Sequence, residues 1–150
     1  MSSDFVYVTY IYTTVQKVWD AITKPEFAKR YWVHYNVSDW KRGSRWEHQH
    51  GDGSGNILLD GTILESDAPR RLVMTWTRPD RSKEPSRVTF DIADYTPGVV
   101  CLTVTHDQLK GDPAMASSIS GGWPKVLSNL KSLLETGKVE SMWLTKGKEG

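Results

Sequence analysis

The chain has 150 residues, 38% hydrophobic and 25% charged, which suits one folded domain and excludes a disordered chain. Its 19 basic and 18 acidic side chains leave a formal net charge of +1, so neither nucleic acid nor an anionic membrane has an electrostatic reason to bind it. No stretch reaches the roughly 18–20 apolar residues that a membrane-spanning helix needs, and a single cysteine, Cys101, permits no intrachain disulfide.

Residues 5–13, FVYVTYIYT, are rich in β-branched and aromatic side chains and predict a strand. Thr13 or Thr14 then caps a helix that carries Val15, Val18, Trp19 and Ile22 on one face. Pro25 suits the first turn of a second short helix, to about Tyr31, and the Lys24-Pro25 junction separates the two. Strands over 34–39 and 44–50 flank the turn Trp40-Lys41-Arg42-Gly43, and the glycines of 51–56 predict a second turn. Residues 57–66 read as a strand in which Gly61 marks a bulge or bend. Residues 70–77 alternate Leu72, Met74 and Trp76, and after a polar loop Val88, Phe90 and Ile92 repeat the pattern. Thr96-Pro97-Gly98 turns the chain into a last strand, 99–106, where Cys101 reads as a small strand residue. Short turns between successive strands predict an antiparallel meander.

Asp112-Pro113 begins the closing helical region. Within it, Ser120-Gly121-Gly122-Trp123-Pro124 opens an amphipathic segment whose stripe is Val126, Leu127, Leu130, Leu133 and Leu134. Each glycine costs roughly 1 kcal/mol against alanine in a helix interior, so the pair predicts room beside the backbone for a neighbour or a ligand. Gly137 suits the C-terminal cap, and 138–150 are expected to fray. The start of the chain shows no signal-peptide pattern, so a cytoplasmic location is expected.

The resulting expectation is one α+β domain over 1–150, with its core at about 5–137: strand, two short helices, about six strands, long helix. An antiparallel sheet needs cover for its apolar face, so the last helix packs across it. If the sheet also curls, the two enclose a hollow rather than close fully.

Several segments, in order, resemble the START-like (SRPBCC) superfamily. They are Val8-Thr9-Tyr10-Ile11, Val18 to Pro25, Tyr31-Trp32, Asp39 to Ser44, Asp60-Gly61, Pro69 to Trp76, and Gly121-Gly122-Trp123-Pro124 with Leu127 and Leu130. The similar subgroup is named for the C-terminal domain of an activator of a heat-shock chaperone ATPase. The resemblance implies a helix-grip fold, in which a curved antiparallel sheet of six to seven strands wraps around a long C-terminal helix over a hydrophobic cavity. It also implies binding of lipids, sterols, polyketides or other apolar metabolites, with some members acting as cyclases or hydrolases. It supplies no catalytic set, no cofactor and no metal site for this chain.

Trp46, Trp76, His106, Met115, Ile119 and Trp123 are the candidates for cavity lining, with His48 and Asp60 as polar handles. Met115, Ile119 and Trp123 present one surface if helical geometry persists through the glycines. Trp19 and Trp32 are expected to anchor the short helices. His48 and His50 share a strand face, which suits two metal ligands, but no third donor pattern accompanies them and an ordinary polar face is favoured. Arg70, Arg71, Arg78, Arg81, Lys83 and Arg87 are interrupted by Asp80 and Glu84, and a solvated loop is favoured over an anion site. Binding of a small apolar or aromatic molecule is thus expected. Two alternatives stand beside it: an enzyme using Asp60, His48 or His106 as acid or base, and a module that contacts a chaperone or pairs as a homodimer rather than acting as a monomer.

Overall fold

The computed structural model describes residues 4–139, so most of the tail expected to fray lies outside the described residues. The elements follow the order β1 (Phe5–Tyr12), α1 (Val15–Thr23), α2 (Pro25–Tyr31), β2 (Tyr35–Val37), β3 (Arg45–Gln49), β4 (Ile57–Asp67), β5 (Arg71–Trp76), β6 (Ser86–Thr96), β7 (Val99–Asp107) and α3 (Pro113–Thr136). Boundaries differ from the expected ones by a residue or two, as fraying ends usually do.

All strands pair antiparallel in the order β1-β7-β6-β5-β4-β3-β2. The six strands after the short helices form the meander, and β1 returns to close its far edge against β7. The sheet curls into a half-barrel and grips α3, which is the helix-grip arrangement. Period-two alternation turns Leu72, Met74 and Trp76 of β5, Val88, Phe90 and Ile92 of β6, and Val100, Leu102 and Val104 of β7 toward the helices.

Of the two threonines expected to cap α1, Thr14 does so, its Oγ1 accepting from the Lys17 amide at 3.2 Å. Asp112 caps α3 the same way, accepting from the Met115 amide, and also holds Arg78 through two hydrogen bonds of 2.6 and 3.2 Å. The arginines around the β5–β6 loop are likewise paired: Arg70 with Asp94, Arg71 with Asp91 and Glu65, Arg81 with Asp60, Arg87 with Asp107.

The glycine pair does not begin a helix. α3 starts at Pro113 and runs through Gly121, Gly122 and Pro124 without a break. Two glycines and one interior proline cost about 5 kcal/mol of helix propensity. Burial of Ile119, Trp123, Val126, Leu127, Leu130 and Leu133 outweighs that, at about 1.5–3 kcal/mol each. Gly137 ends the helix in the left-handed region, φ 78°. A Cβ built on Gly121 or Gly122 would meet nothing within 4 Å. Gly121→Ala and Gly122→Ala are therefore each expected to raise stability by about 1 kcal/mol, read as a higher denaturant midpoint. A lower midpoint for both would mean that the helix backbone needs its glycines for another reason.

Candidate functional site

Between the curl of the sheet and the N-terminal half of α3 lies a cavity of about 270 Å³. Strand alternation brings His48, Leu59 and Trp76 to its wall, and one face of α3 brings Met115, Ile119, Gly122, Trp123 and Val126. Trp32, just past the end of α2, completes it. Arg78 and Ser118 stand at the rim, the latter exposed.

Four of these rings touch in sequence around the wall. Trp32 lies 4.9 Å from His48 and 5.5 Å from Trp123 between ring centroids. Trp76 lies 5.4 Å from Trp123 and 6.4 Å from His48, with the last pair of planes only 21° apart. These spacings are those of mutually packed rings, so the wall is a continuous aromatic surface.

Trp32 does more than anchor a helix, since it is half-buried and forms part of this surface. The next residue, Val33, adopts φ 78°, an unfavourable conformation for a β-branched side chain and worth of order 1–3 kcal/mol. The turn is held from the other side, where a Cβ on Gly51 would overlap the Val33 carbonyl oxygen.

His48 is 4% exposed. The Asn36 amide donates from Nδ2 to the Ile22 carbonyl at 3.1 Å, which turns its Oδ1 toward His48 Nδ1 at 2.8 Å. Nδ1 must then carry the ring proton, and Nε2 keeps its lone pair with no hydrogen-bond partner among the described residues. Burial, with His34 nearby, pushes the His48 imidazolium down to about 3, so the ring is neutral at physiological pH.

The other expected lining residues lie elsewhere. Trp46 is on the inner sheet face but fully packed beneath Trp76 and His48, its Nε1 donating to the Thr75 carbonyl at 2.7 Å. His106 is fully buried behind the cavity wall. It accepts from Trp123 Nε1 at Nδ1, 3.1 Å, and so donates from Nε2 to Ser86 Oγ at 2.7 Å. That tautomer faces the serine with a proton rather than a lone pair, the wrong polarity for a serine nucleophile and its base. Asp60 alternates with Leu59 and points to the opposite face of the sheet, where Arg45 and Arg81 hold it at 2.9 and 2.7 Å. A carboxylate in the hollow would face mainly aromatic and aliphatic surface, whereas here its charge is met by two guanidinium groups. His50 is half-exposed and bonded within its own turn, and no three His, Cys, Asp or Glu side chains converge as metal ligands among the described residues.

Three features of the site escape a reading of the sequence: Trp32, Asn36 and the rim pair Arg78–Asp112. Only Asn36 leaves a local trace, since it stands opposite His48 across two adjacent antiparallel strands.

Comparison with protein families matches residues 12–135 to the sequence profile described as activator of Hsp90 ATPase homolog 1-like protein. Comparison with curated protein sequences finds no match. Among solved structures, CalU16 from Micromonospora echinospora superposes with a TM-score of 0.73 at 20% identity, over 97% of this chain and 82% of that one. An HSP90 activator from Plasmodium falciparum gives 0.71 at 20% identity, over 87% and 95% of the two chains. The Aha1 dimer from Colwellia psychrerythraea gives 0.69 at 17% identity, over 90% and 98%. Identities this low speak to the fold that these chains share. Among the described residues, no helix is long and apolar enough to cross a membrane.

Proposed function

The chain belongs to the family of proteins similar to activator of Hsp90 ATPase homolog 1, of START-like fold, and from that premise we propose that it binds a small, flat, neutral aromatic molecule in the cavity beneath α3. One observation carries this reading: a hollow of about 270 Å³ walled by Trp32, His48, Trp76 and Trp123. Its size selects the occupant. An apolar cavity of about 150 Å³ holds one benzene ring, and drug-sized ligands occupy roughly 300–1,000 Å³. The hollow therefore suits one or two fused rings and is short for a sterol or a long acyl chain.

Charge narrows the choice further. Among the described residues the wall contains no carboxylate to favour a cation, and Arg78 at the rim is already paired with Asp112. Binding is supported over acid–base turnover because His48, the one titratable side chain in the apolar wall among the described residues, takes up a second proton only near pH 3. A base that weak transfers few protons at neutral pH.

Bicyclic aromatics titrated into the full chain should shift tryptophan emission saturably, because three of the seven tryptophans stand in the wall. Gly122→Leu places a side chain where the helix now leaves space. It should weaken binding by about ten-fold or more while folding remains intact, since loss of a glycine favours the helix. Equal affinity in the wild-type and Gly122→Leu chains would place the ligand outside this cavity.

A further inference from the structure

We infer that the ligand carries a hydroxyl group on its aromatic ring, and that this hydroxyl donates its proton to His48 Nε2. This inference rests on the binding reading above and specifies its chemistry. Two independent observations lead to it. The first is the His48 lone pair. Asn36 fixes the tautomer from behind, so the nitrogen left over on a ring in the cavity wall can only accept. An apolar hydrocarbon filling the cavity would cover that acceptor and offer it no donor, at a cost of roughly 1–3 kcal/mol.

The second is Trp76, also in the wall and 7% exposed. Its Nε1–H is buried with no hydrogen-bond partner among the described residues. The two unpaired groups are complementary: one lone pair, one proton, on rings 6.4 Å apart and nearly parallel. A hydroxyl supplies a proton for His48, and lone pairs for Trp76 once its covered indole edge turns toward the cavity. A ketone or ether offers only lone pairs, and an ammonium only protons. The aromatic wall selects a planar carrier for that hydroxyl because rings gain most when they pack in offset or edge-to-face contact. A phenol on a one- or two-ring system meets both demands.

The test uses 2-naphthol and 2-methoxynaphthalene, which differ only in the proton and its methyl replacement. Each is titrated into the ¹⁵N-labelled full chain while the tryptophan indole resonances and the His48 ring nitrogens are followed. 2-Naphthol should bind about ten-fold more tightly, the effect of one hydrogen bond formed away from water. The His48 Nε2 resonance should move upfield as the lone pair accepts, with Nδ1 still protonated. His48→Phe keeps a flat ring and should bring the two affinities together. Equal affinities with an unmoved Nε2 would overturn the hydroxyl assignment while leaving aromatic binding in place. If neither compound perturbed the indoles of Trp32, Trp76 and Trp123, both readings would be overturned together.

Discussion

Lowering the pH from 7 to 4.5 is expected to remove about 5 kcal/mol of folding stability, through His48 and His106 alone. Burial is the main cause at both sites. It pushes His48 down to about 3, with His34 adding to the effect, and His106 down to about 4, slightly opposed by the charge of Asp107. In the unfolded chain each titrates near its ordinary value of about 6.5. Above that pH both states are neutral, and the full stability is present. Below it the unfolded chain takes up protons that the native protein refuses, so each histidine costs about 1.4 kcal/mol per pH unit. The loss continues until the native groups titrate, near 4 for His106 and near 3 for His48. A domain of this size has about 5–15 kcal/mol to lose, so this fall removes about a third of it or more.

The local geometry explains why the native protons are refused. At His106, a proton on Nδ1 would oppose the Trp123 indole N–H that already points at it. At His48, charge would appear inside an aromatic wall. Asp112, held below the usual carboxylate range chiefly by its hydrogen bonds from Arg78, begins to lose its contribution only as the pH falls through the ordinary carboxylate value of about 3.9. Guanidinium midpoints measured from pH 8 to 4.5 would show the fall, and His48→Gln or His106→Gln would flatten its slope. A midpoint that stays constant between pH 7 and 5 would sink the account.

Gly61→Ala is expected to destabilise by about 3 kcal/mol or more, a large value for one methyl group. The glycine sits where β4 passes from pairing with β3 to pairing with β5. A Cβ there would overlap the Thr75 carbonyl oxygen and stand 2.6 Å from Thr75 Oγ1 and 2.7 Å from Trp46 Nε1. Two of these atoms are the donor and acceptor of the Trp46–Thr75 hydrogen bond, which ties β3 to β5 across the glycine. Overpacking of this kind costs about 1–3 kcal/mol, and stranding the buried indole N–H adds about 1–3 kcal/mol. The variant's urea midpoint should fall, and the emission of Trp46 should shift red as water reaches it. Wild-type stability in Gly61→Ala would show that β4 can move aside, and that the curl of the sheet does not depend on this close approach.

How far the sequence speaks can be judged from particular residues. Leu72, Met74 and Trp76 announce their strand and its inner face by alternation alone. Thr14, Pro25 and Gly137 mark helix ends through chemistry that acts within a few residues. The ordered series from Val8-Thr9-Tyr10-Ile11 to Gly121-Gly122-Trp123-Pro124 was enough to point to the helix-grip fold. Gly61 was visible as a place where the backbone needs space, and the glycine pair in α3 as a place where the helix has it.

Neighbours across the chain were not visible. Asp60 and Leu59 are adjacent in sequence, yet one is gripped by two arginines on the outer face and the other lines the hollow. Alternation separates two adjacent side chains but does not say which of them meets the cavity. Trp32 reads as a helix anchor until β3 and α3 bring His48 and Trp123 against it. The polarity of His48 depends on Asn36 and, through it, on the Ile22 carbonyl, groups that only the closed sheet puts together.

Element type, order and capping are governed by interactions that reach a few residues along the chain, and the amino-acid sequence by itself determined them here. Which side chains surround the hollow, and which nitrogen of His48 is left to accept, were decided by tertiary structure alone. Those outcomes depend on packing and hydrogen bonds between residues 22, 32, 36, 48, 76 and 123, whose distances are set only when the sheet closes on its helix.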